Sequence, residues 1–240
     1  MQRYFGNIIE KQVVLSEEDI RHLTKVMRAR QGEKIEVVCD EQVFLAQIES
    51  LRPLKIMVLD RIKEDNELKN KVILIVSLLK GEKMDLVLQK ATELGVFEIV
   101  LLETERCVAK IKKDDVAFKL QRYQKILKEA SEQSKRRRIP NLYRVVNFKT
   151  LKDVKADIKM IAYEEAKGKT KSFFARLNEV ENDKQVIAVM VGPEGGFSEE
   201  EVKKANELGY TNISLGKRIL RAETACLYVM SVISSILEKK

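Results

Sequence analysis

Short β-favouring stretches recur through the first seventy residues, at 11–15 (KQVVL), 34–39 (KIEVVC), 43–48 (VFLAQI) and 55–60 (KIMVLD). Turn-length segments separate them, the pattern of a small antiparallel barrel or sandwich. One helix interrupts the strands: Ser16 with Asp19 is a plausible N-terminal cap, Ile20, Leu23, Val26 and Met27 form an apolar stripe, and Gly32 is placed to stop it. The polar stretch EDNELKN at 64–70 reads as a linker. From Lys71 onward apolar runs alternate with amphipathic segments, which predicts an α/β domain with a mostly parallel sheet. Strands are expected at 72–79, 96–102, 158–163, 186–191 and 211–215, with helices at about 84–94 and 115–135. Ser198 and Glu201 are spaced as a capping box, and Gly209 stands where that helix should end. The last predicted helix, about 222–238, is apolar on more than one face; it needs cover on two sides, from an interior position in one chain or from a second subunit. The expected division is a β-barrel over residues 1–69 and an α/β domain over 70–240.

No apolar run approaches the roughly eighteen residues needed to span a bilayer. The first residues lack the apolar core and cleavage site of a secretory signal, so the chain reads as cytoplasmic. Cys39, Cys107 and Cys226 are widely separated, and with a single His the sequence supports neither a disulfide framework nor a metal site.

Charge becomes informative once it is located. The net charge is +8, and residues 106–138 hold twelve basic and four acidic residues while the rest of the chain balances. Lys119, Arg122, Lys125 and Lys128, then Lys135, Arg136, Arg137 and Arg138, accumulate one sign without interleaved acids. A solvated helix face is the ordinary reading of such a run, and a polyanion-binding surface, with nucleic acid as ligand, is the alternative that the missing acids favour.

Two connections look chemical. VGPEGGFSEEE at 191–201 follows an apolar strand and leads into a capped helix; its glycines let the backbone approach a ligand at the C-terminal edge of a parallel sheet. It has neither the Gly-Lys-Ser/Thr ending of a Walker loop nor GxGxxG spacing, and a tight turn without ligand is the competing reading. LGKRILRAETA at 215–225 places apolar Ile219 and Leu220 in a loop among Arg218, Arg221 and Glu223, which suits a pocket for a ligand with an apolar body and ionic ends. A local surface ion pair between Arg221 and Glu223 is the bland alternative.

KGEKMDLVLQKATELGV at 80–96, EASEQSKRRRIP at 129–140, VGPEGGFSEEE and LGKRILRAETACLYVMS together resemble the RsmE family, bacterial methyltransferases that modify N3 of a uridine in 16S ribosomal RNA. RYF at 3–5 and HLTKVMRARQGE at 22–33 resemble that family's RNA-binding module, so the likeness spans nearly the whole chain. It implies a SPOUT-superfamily enzyme: an N-terminal PUA-like β-barrel, a C-terminal α/β domain with a trefoil knot, a homodimer, and S-adenosylmethionine as cofactor. The family's cofactor loops fall on Ala162, Tyr163 and Glu164, on Gly192, Pro193, Glu194, Gly195 and Gly196, and on Leu215, Gly216, Ile219, Leu220 and Arg221. Arg221 is the candidate for stabilising the uridine anion, and Glu194 is a possible proton acceptor that could equally bind the cofactor or cap the helix. Arg3, His22, Lys25, Arg28 and Arg30, with Gln133, Ser134 and Lys135 to Arg138, are the candidate RNA contacts; for His22 packing is the alternative. The family commonly has Gly where this chain has Lys135. A related enzyme acting on transfer RNA or a ribose hydroxyl, and a non-catalytic ribosomal RNA-binding protein, are the competing functions.

Overall fold

A computed structural model describes residues 1–163 and 171–238. Its contacts divide the chain into two units, Met1–Glu67 with Ser131–Ile139, and Leu68–Ala130 with Pro140–Lys240. The nine-residue segment at 131–139, expected in the α/β domain, therefore belongs to the barrel unit.

The first unit is a six-stranded sheet of β1 (Arg3–Phe5), β2 (Asn7–Ile9), β3 (Gln12–Val14), β4 (Lys34–Cys39), β5 (Gln42–Leu51) and β6 (Leu54–Ile62), in the order β1-β4-β5-β6-β3-β2. Tyr4, Val13, Leu23, Ile35, Val37, Ile48 and Ile56 fill its core. The helix between β3 and β4 is shorter than its apolar stripe predicts. α1 (Glu17–Arg21) begins at Ser16, whose side chain accepts from the Asp19 amide, and passes into a π-helical turn over His22–Val26. The wider turn rotates the later residues outward: Leu23 stays buried, whereas Val26 is 64% exposed and Met27 is exposed as well. Arg28, at φ +50°, ends the helical course before Gly32 is reached.

The second unit alternates strand and helix: β7 (Lys71–Ser77), α2 (Glu82–Glu93), β8 (Glu98–Leu102), α3 (Val116–Gln133, whose last residues lie in the first unit), β9 (Asn141–Val146), β10 (Ile158–Ala162), β11 (Lys171–Ser172), α4 (Phe173–Leu177), β12 (Val186–Val191), α5 (Glu199–Glu207), β13 (Thr211–Ser214) and α6 (Ala222–Leu237). The sheet runs β11-β13-β10-β12-β7-β8-β9, every pairing parallel. β9, β11 and α4 were not signalled, because NLYRVV is short and mixed and the other two are fragments. The capping box at Ser198 and Glu201 forms, and Gly209 follows the C-cap at φ +87°.

α6 finds its two-sided cover inside its own chain. It packs on α2 and on β7 and β12, and Val229 and Ile233 are fully buried. Those side chains therefore cannot form a subunit interface as well.

Candidate active site

In a parallel sheet every strand delivers its C-terminal end to the same edge, and β13, β10 and β12 are adjacent. Ala162 pairs with Ile213 and Ile161 with Met190, so the chain leaves all three strands at nearly one level. The Tyr163 amide continues the ladder one step further, donating to the Ile213 carbonyl at 3.1 Å. Three loops thus meet over one cleft of about 410 Å³, within the range of roughly 300–1,000 Å³ usual for small-molecule sites.

Ala162, Tyr163, Gly192, Pro193, Glu194, Gly195, Gly196, Leu215, Gly216, Ile219, Leu220 and Arg221 all line this cleft. Glu164 lies outside the described residues. Ile219, 79% exposed, stands with Leu220 beside Arg218 and Arg221, the juxtaposition of apolar body and charged rim that the loop sequence suggested. The glycine turn is held from below by Phe197, buried in the sheet-facing core. A Cβ on Gly192 would come within 3.1 Å of the Phe197 ring. The absent side chain at 192 thus first serves packing of the turn, and only then the approach of a ligand.

Two residues that sequence reasoning missed complete the site. Arg106, after β8, lines the cleft and donates from Nη1 to the carbonyls of Gly195 (3.2 Å) and Phe197 (3.4 Å). A Cβ at Gly195 would come within 3.1 Å of Arg106 Cβ, which explains glycine there. Lys83, in the first turn of α2, donates to Glu194 Oε1 at 2.8 Å and lies 3.8 Å from Glu223 Oε2. Its signal was faint: a lysine at a helix N-terminus, against the sense of the helix dipole. That hydrogen bond holds the Glu194 carboxyl below its usual range and raises the Lys83 ammonium. Glu223 faces Lys83, so the expected local pair with Arg221 gives way to a contact between elements.

The candidate RNA contacts separate into two groups. Lys25, Arg28, Arg30 and Gln133 are exposed. Arg3 is 1% exposed and bound to Glu36 and Glu64, and Arg136 is 2% exposed and bound to Glu67. Lys135 pairs with Glu36, Arg137 with Asp65 and Arg138 with Glu41. The acids that the basic run lacks in sequence come from the barrel and from the supposed linker at 64–70. Burial inside such pairs removes Arg3 and Arg136 as RNA contacts. Ser134 is half-buried. His22 Nδ1 lies 3.0 Å from the Tyr4 hydroxyl with the rings edge to face, the packing alternative; burial and nearby carboxylates push the Tyr4 phenol up to about 12. Among the described residues no group of three or more His, Cys, Asp or Glu could hold a metal ion, and no helix is long and apolar enough to cross a membrane.

A family model described as an RNA methyltransferase domain matches residues 66–234, and one described as an RNA methyltransferase PUA domain matches residues 15–56. The ribosomal RNA small subunit methyltransferase E of Bacillus subtilis (strain 168) is 34% identical, the alignment covering 98% of this chain and 96% of that protein. The protein of that name from Mesomycoplasma hyopneumoniae (strain 232) is 33% identical over 96% and 98%. Among solved structures, the ribosomal RNA small subunit methyltransferase E of Neisseria gonorrhoeae bound to S-adenosyl methionine is 30% identical, with a TM-score of 0.86 over 98% of both chains. The putative methyltransferase Lpg2936 of Legionella pneumophila, in complex with the same cofactor, is 31% identical with a TM-score of 0.88 over 98% of both. With both domain models matched in order and relatives above 30% identity along nearly the full length, the chain belongs to the ribosomal RNA small subunit methyltransferase E family.

Proposed function

We propose that this protein methylates N3 of a uridine in 16S ribosomal RNA with S-adenosylmethionine as donor. The observation that carries the reading is the convergence of three loops, after β10, β12 and β13, on one cleft whose glycine turn, apolar side chains and arginines suit that cofactor. Relatives crystallised with the cofactor share the fold along the whole chain.

When bound, S-adenosylmethionine supplies a methyl group activated by its sulfonium. The 192–196 turn offers backbone close to the ligand, while Leu215, Ile219 and Leu220 exclude water from the apolar part. Uracil N3 becomes a nucleophile only on losing its proton, so the site must favour the uridine anion. Arg221, at the N-cap of α6 and on the cleft wall, is the cation placed to stabilise negative charge at the base oxygens. Glu194, ionised against Lys83, is a weak proton acceptor, so its part is to hold the turn.

Lys25, Arg28 and Arg30, exposed on the barrel unit, are the groups to grip phosphate, and the target base must be turned out of its stack to be read. The same reading includes a homodimer, action in the cytoplasm, no metal, and the trefoil knot, all of which rest on the family resemblance. For the dimer the half-exposed edge of α6 is available, with Leu227, Val232 and Ile236 beside Ser231 and Ser235. Calorimetry should show S-adenosylmethionine binding with the same affinity with and without chelator. Absence of binding would remove the cofactor and the reaction together.

A further inference from the structure

The first turn of α2 is an unfavourable place for a lysine, because the helix N-terminus carries partial positive charge. Lys83 nevertheless stands there, two residues after the capping Gly81, and its ammonium is directed at carboxylates of two other elements. Glu194 belongs to the glycine turn that follows β12, and Glu223 to the first turn of α6, immediately after the loop carrying Ile219, Leu220 and Arg221. Glu223 Oε2 is buried without a hydrogen-bond partner, and Lys83 Nζ at 3.8 Å is too distant to supply one.

We infer that Lys83 is a positioning residue of the cofactor cleft, one ammonium holding the glycine turn through Glu194 and the start of α6 through Glu223. This rests on the cofactor reading above. It assigns to α2, which contributes no residue to the cleft wall, control over the spacing of two of its three loops. The charges facing Lys83 are Glu194 from the turn and Glu223 and Arg221 from α6, and Arg106 lines the same cleft. Without the ammonium, two carboxylates share this corner with only the arginines to offset them. The turn and α6 are then free to separate, and Glu194 titrates closer to the usual carboxylate range.

The test is calorimetric titration of S-adenosylmethionine into the full-length wild type, Lys83→Met and Lys83→Arg, between pH 5 and 8. Lys83→Met should weaken binding about tenfold at neutral pH, the scale of losing a charge-assisted contact that preorganises a site. The deficit should narrow toward pH 5, as Glu194 takes up a proton and its repulsion with Glu223 is relieved, while the wild type changes little. Lys83→Arg should recover most of the loss. In turnover assays the loss should fall more on the KM for S-adenosylmethionine than on kcat, the split expected of a residue that positions the cofactor without touching a reacting atom. Wild-type-like affinity and pH dependence in Lys83→Met would overturn the inference while leaving the cofactor reading intact. A wild type that binds no cofactor would overturn both, and an Lys83→Arg variant as weak as Lys83→Met would overturn the bridging role.

Discussion

Lys135 occupies a left-handed backbone conformation, φ +61°, where a β-carbon is crowded. Glycine, which the family commonly carries at this place, would relieve that crowding. In this chain the side chain compensates: its ammonium binds Glu36 at 2.8 Å and the Met1 carbonyl at 2.6 Å. Its neighbour Arg136 is a stronger case of the same substitution of structure for binding. With side chains 3% and 10% exposed, the Arg136–Glu67 pair is a buried ion pair, and removing one partner strands the other charge. Arg136→Gln should destabilise the protein by about 3–5 kcal/mol in denaturant unfolding, whereas replacing both residues with apolar ones should cost far less. A single variant as stable as the wild type would return Arg136 to the solvent-facing, RNA-binding role that the charge run suggested. At the cleft, Arg221 separates catalysis from binding. Arg221→Ala should lower turnover by about a hundredfold or more with little change in cofactor or RNA affinity. Raising the pH should partly rescue it, because hydroxide can remove the N3 proton unaided. Loss of cofactor binding with normal turnover at saturation would reassign the residue.

At the scale of elements, what could be read in advance was what is local. Five of the seven strands of the sheet, the capping box at Ser198 and the cleft loops follow from periodicity and from glycines in short spacing, so 192–196 and 215–221 could be marked before any fold was known. The missed side-chain contacts are all non-local. Arg136 and Glu67 are 69 residues apart, Arg138 and Glu41 are 97 apart, and Lys83 and Glu194 are 111 apart. No window along the chain brings such partners together, which is why a folded clasp looked like an unneutralised charge run. The π-turn is a second kind of failure: Val26 and Met27 fit an α-helical stripe, but the extra residue per turn changes which side faces the core. For α6 the consequence is practical. Glutamate at Val229 or Ile233 would unfold the second unit rather than divide a dimer, since both are fully buried in one chain. The informative variant is Leu227→Glu with Ser231→Arg on the half-exposed edge. Equilibrium sedimentation should give a dimer for the wild type at micromolar concentration and a folded monomer for the variant. A monomeric wild type would contradict the dimer.

For the whole molecule, the two units hold complementary chemistry within one chain. The barrel unit neutralises most of the basic segment at 135–138 and leaves Lys25, Arg28 and Arg30 outward, while the α/β unit gathers three loops around a cleft at one sheet edge. The reaction class follows from the cleft and from the family; the base and the RNA are the steps that rest on the family alone. They are tested together by mass mapping of ribosomal RNA from cells lacking this protein, compared with cells in which it is restored. A single methyl group should disappear from N3 of one uridine in 16S RNA and return with the wild-type chain but not with Arg221→Ala. An unchanged 16S RNA, or a methyl group lost instead from transfer RNA or from a ribose hydroxyl, would rule out N3 methylation of 16S RNA by this protein.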